Sequence, residues 1–232
     1  MPTKPRLLTI LDTLTASLFV IAVGLVFFYA PTEAVMGAVQ RIFYFHVSVG
    51  WVGMLGFMAA AIAGIAYLRS GKQDWDILSL AAIEIGIVFI FINIVTGSIW
   101  ARPIWNTWWT WDPRLTTATI MELIYAAYLM LRQGIEDPDR RARFGAVYVI
   151  LGFISVPLTF LSARLFRTIH PIVIGTNKPG AEGQFDMSPK MLQTFMFSLF
   201  TFTFIFADLL WHRVRLGKLA DQVEQLKLKI LA

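Results

Sequence analysis

Long apolar stretches, separated by short polar segments, run through most of this chain. Each of the six stretches has few or no charges and is close to the roughly 20 residues that cross a bilayer core as a helix. The pattern predicts an all-α, polytopic membrane bundle of six transmembrane helices, a single domain over residues 1–232 with a tail from 212 to 232. The predicted spans are 14–30, 44–68, 77–100, 115–131, 144–161 and 191–211.

Composition supports a membrane protein and removes several kinds of chemistry. Hydrophobic residues make up 57% of the chain and charged residues only 15%, which is more apolar than an ordinary soluble domain. Cysteine is absent, so disulfides, thiolate metal sites, iron–sulfur clusters and thiol nucleophiles are excluded. The net charge of +5 is modest and is typical of basic membrane loops rather than of a nucleic-acid-binding surface.

Lysine and arginine are distributed unevenly between the two ends of the predicted helices. The helix ends that share a side with both termini carry 13 of the 20 residues, and the opposite ends carry seven. Because positive charge accumulates on the cytoplasmic side, both termini are expected to be cytoplasmic. The loops near 31–43, 101–114 and 162–190 are then expected on the outer side of the membrane.

Tryptophan is concentrated in one of these outer loops, residues 100–115. Five of the eight tryptophans fall within twelve positions, and Pro103 and Pro113 flank the centre of this run. Because proline suits the start of a helix and opposes its interior, we expect a short helix or loop on the membrane surface. In such a helix Trp105, Trp108 and Trp109 would share one face and could cover a planar ligand. An aromatic belt at the lipid interface is the alternative, although belts normally spread over all helix ends.

The three histidines divide into a pair and a single residue. Four crossings separate His46 from His170, so both return to the outer face, whereas His212 is expected about 30 Å away at the inner end. Neutral imidazoles can hold a haem iron from both sides, so the pair is a candidate metal site. The alternative is that each is a hydrogen-bonded interfacial residue. His212, beside Arg213, is expected to act only as a polar group at a helix C-terminus.

Arginines near the paired histidines are candidates for binding carboxylates. Arg114 follows the tryptophan run directly and Arg41 precedes His46 by five positions. A guanidinium binds carboxylates through two parallel hydrogen bonds, as the propionates of haem would require. Simple anchoring at the lipid interface is the alternative. Arg164 and Arg167 are weaker candidates of the same kind.

Two other features carry no assigned role. Glu84, Glu122 and Asp208 lie within predicted spans, where charged groups are often functional, but the sequence shows no partner for them. The tail has apolar residues at heptad spacing, at 216, 219, 223, 226 and 230. This pattern fits either the amphipathic end of the last helix or a docking site for a cytoplasmic partner, and it is too short to indicate a coiled coil.

The tryptophan run resembles a known motif. Residues Trp100 to Leu115 look like the WWD motif of haem-handling membrane proteins, and the resemblance covers the whole chain. Six spans, a short chain and one outer histidine on each side of the motif most resemble the CcmC family, the haem-handling membrane subunits of a multi-subunit cytochrome c maturation system. The chain departs from the pattern at Asn106 and Pro113, where glycine and alanine are common, which leaves the loop backbone open.

The resemblance implies a cofactor and a set of binding residues. It implies haem b bound at the outer, periplasmic face of the bacterial inner membrane, with His46 and His170 as axial ligands of the iron. It also implies that Arg41 and Arg114 lie near the propionates. The remaining residues expected to bind the cofactor are those of the motif itself: Trp100, Trp105, Trp108, Trp109, Trp111 and Asp112.

The resemblance also implies partners and a function without chemical turnover. The protein would present haem to the periplasmic haem chaperone CcmE, and could promote covalent attachment of haem to it. It would work beside the ABC transporter subunits CcmA and CcmB and the small membrane protein CcmD. The chain has no G-x-x-x-x-G-K-[ST] loop, so the ATPase is expected in another subunit. A haem-translocating transporter subunit and a bis-histidine cytochrome b electron-transfer subunit remain as alternatives.

Overall fold

The computed structural model describes residues 4–166, 168–170 and 187–231, and it is all-helical over these ranges. A π-helical turn, Leu25–Tyr29, extends the first helix, and a 3-10 turn, Ala38–Arg41, leads into the second. The helices are α1 (Arg6–Gly24), α2 (Ile42–Ser70), α3 (Gln73–Trp105), α4 (Pro113–Gln133), α5 (Pro138–Gly152), α6 (Ser155–Leu165) and α7 (Pro189–Leu231).

Five segments are long and apolar enough to cross a membrane: Arg6–Tyr29, Ala38–Ser70, Gln73–Trp105, Pro138–Leu165 and Pro189–Lys227. The remaining predicted span, the fourth (115–131), corresponds to α4, whose 21 residues extend over about 31 Å. Threonines and tyrosines, together with Arg114, Glu122 and Arg132, make it less apolar than a typical span. The predicted class, a polytopic bundle of six membrane helices, is confirmed.

The fifth span is divided into two helices. Residues Phe153 and Ile154 separate α5 from α6, and Pro157 lies in the first turn of α6. Proline has no backbone N–H and its ring collides with the carbonyl four residues earlier, which accounts for the break at this position. The break leaves α6 packed beside the first turns of α4.

Successive spans run in opposite directions, with α5 and α6 together forming one span, and this gives the bundle two distinct ends. At the tryptophan end, which holds residues 106–112, the rings of His46 and His170 have centres 6.4 Å apart. At the terminal end, where α1 begins, His212 Nε2 lies 2.8 Å from Asp12 Oδ1. The expectation that His46 and His170 meet and that His212 lies away from them is therefore confirmed.

Helices α2 and α3 form the centre of the bundle because small residues let their backbones approach closely. A Cβ atom on Gly56 would lie 2.7 Å from the carbonyl oxygen of Ala82, so a larger residue cannot replace it without separating the helices. Small residues at helix contacts are typical of membrane bundles, where close packing replaces the hydrophobic effect. Further out, the rings of Phe57 and Tyr125 stack at 3.6 Å and join α2 to α4.

Of the two forms predicted for the tryptophan run, a short surface helix or a loop, the structure has the loop. Helix α3 continues through Pro103 and ends at Asn106, whose φ of 53° is left-handed and stops the helix. Residues 107–112 form a non-helical loop, and Pro113 is the first residue of α4. Asparagine tolerates left-handed backbone and proline suits a helix start, so both departures from the family pattern fit the loop.

The tail is a continuous part of α7, which runs as one helix to Leu231. His212 therefore lies inside a helix, and the expectation that it interacts with a helix C-terminus is wrong. The apolar residues of the tail are exposed, with Val223 51% and Leu226 58% accessible, as expected for the amphipathic end of a membrane helix.

Candidate functional site

His46 lies in the first turns of α2 and is held by side chains of α3. It is only 7% exposed, and its Nδ1 lies 3.2 Å from Thr96 Oγ1 and 3.3 Å from Asn93 Nδ2. The Asn93 amide also donates to the His46 carbonyl at 2.7 Å, and the Thr96 hydroxyl donates to the Ile92 carbonyl at 2.8 Å. Because its proton is engaged there, the Thr96 oxygen can accept a hydrogen bond from the Nδ1–H of His46, which leaves Nε2 as the nitrogen able to bind a metal.

The position of the His46 ring depends on a glycine of α3. A Cβ atom on Gly97 would lie 2.9 Å from Cε1 of His46, closer than such atoms normally approach. The absence of a side chain at this position therefore lets the imidazole occupy the space between α2 and α3.

His170 faces His46 from the segment that follows α6. The two rings are 6.4 Å apart with an angle of 42° between their planes. Two imidazoles on opposite sides of one metal have ring centres roughly 6 Å apart, since each metal–nitrogen bond is about 2 Å and each ring centre lies about 1 Å behind its nitrogen. The observed separation would therefore allow both imidazoles to bind one metal between them.

The tryptophans of the motif divide into buried and exposed groups. Trp100 is 4% exposed and its ring lies 5.8 Å from His46, while Trp105 lies 6.4 Å from Trp100. Trp109 is half-buried and packs edge-on against Trp111, which is 75% exposed. The expectation of one face formed by Trp105, Trp108 and Trp109 is wrong, because Trp108 lies in the loop and is 57% exposed.

The candidate arginines have different surroundings. Arg41 lies over the ring of Phe27 at 5.6 Å, and its Nε is buried without a hydrogen-bond partner among the described residues. Arg114 instead donates to the Thr159 carbonyl of α6 at 2.5 Å and lies 4.6 Å from the Phe160 ring. Its interaction with a propionate stays a prediction, as does that of Arg164, which lies in the last turn of α6. Arg167 lies outside the described residues.

Several buried donors at the tryptophan end have no partner within the described chain. They are Arg41 Nε, Trp100 Nε1 and Trp109 Nε1. The hydroxyl of Thr110, in the tryptophan loop, is also buried without a partner there. Buried polar groups are normally hydrogen-bonded, so this concentration calls for an acceptor. A ligand with carboxylates and a flat apolar body would supply both an acceptor for these donors and a surface for the rings.

The acidic residues of the spans take structural positions at the terminal end. Asp76 accepts two bonds from Arg132, at 2.6 and 2.7 Å, and Glu84 pairs with Arg213 at 2.5 Å. Glu122 differs, since its Oε2 is buried without a partner among the described residues.

Asp12, Asp208 and His212 also meet at the terminal end, with ligand atoms within 4.8 Å of one another. Lys4 bonds Asp12 there, so a cation already neutralises this group.

The sequence pattern did not single out the polar partners of the two histidines, Thr96, Asn93 and Thr168. Asn93 and Thr96 are an amide and a hydroxyl within a predicted span, whereas Thr168 lies outside the predicted spans and carries no such signal.

Comparison with known proteins gives consistent matches. A family model described as Heme exporter protein C (CcmC) matches residues 1–229. The Heme exporter protein C of Bradyrhizobium diazoefficiens is 35% identical over 156 residues, which are 67% of this chain and 59% of that protein. The Heme exporter protein C of Escherichia coli is 30% identical over 202 residues, 86% of this chain and 80% of its own. A cytochrome c biosynthesis ccmC-like mitochondrial protein of Marchantia polymorpha is 30% identical over 149 residues, which are 64% of this chain and 63% of that protein.

Proposed function

The chain belongs to the Heme exporter protein C family, and from that premise we propose that it binds haem b between His46 and His170 and presents it to the chaperone CcmE. The observation that carries the proposal is the pair of facing imidazoles, 6.4 Å apart at the tryptophan end. The names of its relatives support a role in cytochrome c maturation. When bound, haem supplies an iron with two axial positions that imidazole nitrogens can fill.

The surrounding residues fit haem in chemistry as well as in spacing. Trp100 provides a buried apolar ring beside His46. Arg41 Nε and Trp109 Nε1 are buried donors without partners among the described residues, and two propionates would provide acceptors for them. Thr96 and Asn93 contact Nδ1 and the backbone carbonyl of His46, so that Nε2 would remain for binding the iron.

Presentation, rather than storage, is supported by the exposed part of the tryptophan loop. Trp108 and Trp111 are 57% and 75% exposed, although both are large apolar side chains. Such rings at the edge of a ligand site suit contact with a second protein, and aromatic residues are enriched at interfaces. In this proposal the chaperone contacts the loop and the haem edge together, and the chain could promote covalent attachment of haem to it without catalysing another reaction.

The cellular setting is part of the same proposal. The excess of Lys and Arg at the terminal end favours cytoplasmic termini in the bacterial inner membrane, with the haem site on the periplasmic side. The proposed partners within the membrane are CcmA, CcmB and CcmD, with ATP hydrolysis assigned to another subunit. Electron transfer is a weaker alternative, because the chain has only three histidines and no span contains two of them.

The first prediction concerns ligation and uses the visible spectrum of the purified full-length protein. Wild type from a haem-replete host should show six-coordinate, low-spin haem, and His46→Ala and His170→Ala should each lose most of it, because one axial bond is removed. His212→Ala is the matched control and should retain the wild-type spectrum, since His212 contacts Asp12 instead. Wild type without haem, or an equal loss in all three variants, would contradict the proposal.

Transfer distinguishes presentation from electron transfer. Purified CcmE added to the haem-loaded protein should remove haem or trap it in a joint complex. Rapid reduction by a quinol, with no transfer to CcmE, would favour a cytochrome b function instead.

A further inference from the structure

The first turns of α4 are joined to α6 and to the His170 segment by a series of polar contacts. Arg114 donates to the Thr159 carbonyl at 2.5 Å, and the Thr117 hydroxyl donates to Ser162 Oγ at 3.1 Å. In the last contact of the series, the Thr168 hydroxyl donates to Asp112 Oδ2 at 2.6 Å. The series therefore ends two residues before His170.

Asp112 uses both of its carboxylate oxygens for these local contacts. Oδ1 accepts from the backbone N–H of Leu115 at 2.9 Å and caps the first turn of α4. Oδ2 accepts from the Thr168 hydroxyl. With each oxygen engaged in this way, Asp112 is suited to connecting the tryptophan loop with the segment that carries His170, rather than to contacting a carboxylate-bearing ligand.

Thr168 connects Asp112 to His170 because a hydroxyl both donates and accepts. An ionised carboxylate can only accept and a backbone N–H can only donate, so the direction of both bonds is determined. The Thr168 hydroxyl donates to Asp112, and its oxygen accepts from the His170 N–H at 3.1 Å. Serine could replace threonine in this arrangement, whereas valine, of the same shape, could make neither bond.

The two histidines differ in what holds them. His46 is part of a long helix, whose backbone hydrogen bonds hold its position, whereas His170 lies in a non-helical segment. A non-helical segment keeps a fixed position only through contacts such as the Thr168 bonds. The position of the second imidazole is therefore expected to depend on Asp112 and Thr168.

We propose that Asp112 and Thr168 are positioning residues that hold His170 opposite His46, so that the aromatic loop and the second axial ligand act as one unit. The effect on iron ligation rests on the proposed haem-binding function, but the contacts that hold His170 can be tested without haem. It gives the aspartate of the WWD motif a structural link to the histidine rather than a direct contact with the cofactor.

The second prediction compares Thr168→Val with Thr168→Ser in the haem-loaded, full-length protein. Thr168→Val should raise the ratio of five-coordinate, high-spin to low-spin haem by roughly fivefold or more, the population change that the loss of one hydrogen bond produces. Added imidazole should restore the low-spin spectrum, because the missing ligand is replaced. Thr168→Ser should resemble wild type, and Asp112→Asn should resemble Thr168→Val in part, since an amide oxygen can still cap α4.

A control and a haem-free measurement separate this proposal from the haem-binding proposal. Thr201→Val, which removes a fully buried hydroxyl on α7, should leave the spin state unchanged. In haem-free protein, hydrogen exchange of the peptide that contains His170 should accelerate in Thr168→Val and not in Thr168→Ser. Unchanged exchange and an unchanged spectrum in Thr168→Val, or equal defects in valine and serine variants, would overturn the positioning role. Absence of haem from wild type would instead overturn the haem-binding proposal, and the exchange result would still decide whether Thr168 holds His170.

Discussion

The terminal end and the tryptophan end of the bundle differ in how their charged groups are partnered. At the terminal end, charged residues pair with one another across helices, as Arg132 does with Asp76 and Lys218 with Asp74. At the tryptophan end, Arg41 Nε and Trp109 Nε1 are buried without partners among the described residues. Polar groups at the terminal end therefore hold helices together, whereas under the proposed function those at the tryptophan end would bind the ligand.

The energetic consequences of the two arrangements differ as well. A buried ion pair adds little net stability, but breaking it leaves one buried charge alone and typically costs about 3–5 kcal/mol. An unpaired donor already carries its desolvation cost in the folded protein, and an acceptor from a ligand recovers it. Substitutions at the terminal end should therefore change stability, and those at the tryptophan end should change ligand binding.

The largest expected effect is on stability, at the terminal end. Arg132→Met should lower the free energy of unfolding by about 3–5 kcal/mol, because the Asp76 carboxylate remains buried without its partner. Haem content per folded molecule should stay at the wild-type level. Thermal unfolding in detergent and the visible spectrum measure the two quantities.

Lys218→Met provides the matched control, since its pair with Asp74 has side chains that are 45% and 68% exposed. An exposed pair contributes less than about 1 kcal/mol. Loss of haem from folded Arg132→Met would contradict the difference between the two ends, because it would show that the terminal end affects the ligand site.

A smaller effect, on binding rather than stability, is expected at Gly97. In Gly97→Ala the new Cβ would lie 2.9 Å from His46 Cε1, so the imidazole must move away from its position. Overpacking of this kind costs about 1–3 kcal/mol, and we expect haem affinity to fall by roughly tenfold. Titration of haem into the purified apoprotein measures the change.

Gly24→Ala is the matched control for this substitution, since a Cβ atom there meets nothing within 4 Å. It should leave both stability and haem affinity close to wild type. If Gly97→Ala lowers the unfolding temperature as much as Arg132→Met while haem affinity is unchanged, the tryptophan end contributes to stability rather than to binding.

Much of the overall arrangement could be predicted from the pattern of apolar spans. Counting crossings was enough to place His46 with His170 and to separate His212 from them. Each helix that crosses the membrane takes the chain to the other side, so an even number of crossings returns it to the same side. The tryptophan loop was located in the same way. Its backbone could not be predicted, because the left-handed conformation of Asn106 decides where α3 ends, and asparagine adopts that conformation only in some contexts.

The partners of the site residues could not be predicted, for a physical reason. Thr168 and Asp112 are 56 positions apart, and their bond depends on how α6 packs against α4. The sequence likewise identifies Arg114 as a candidate, but its bond to the Thr159 carbonyl depends on how α6 packs against α4. Contacts between distant segments require the packing geometry, whereas the number and direction of the spans do not.

The smallest expected effect is on the reduction potential of the bound haem, and it is expected from substitution of Thr96. If His46 Nδ1 donates to the Thr96 oxygen, that bond increases the basicity of the ligand and favours oxidised haem. Thr96→Val should then raise the reduction potential of the bound haem by roughly 40 mV, the equivalent of about 1 kcal/mol for one electron, while Thr96→Ser should not. Redox titration of the haem-loaded protein measures the shift. If Thr96→Val leaves the potential unchanged and Asn93→Leu alters it, the Asn93 amide rather than the Thr96 hydroxyl is the group that acts on the ligand through Nδ1.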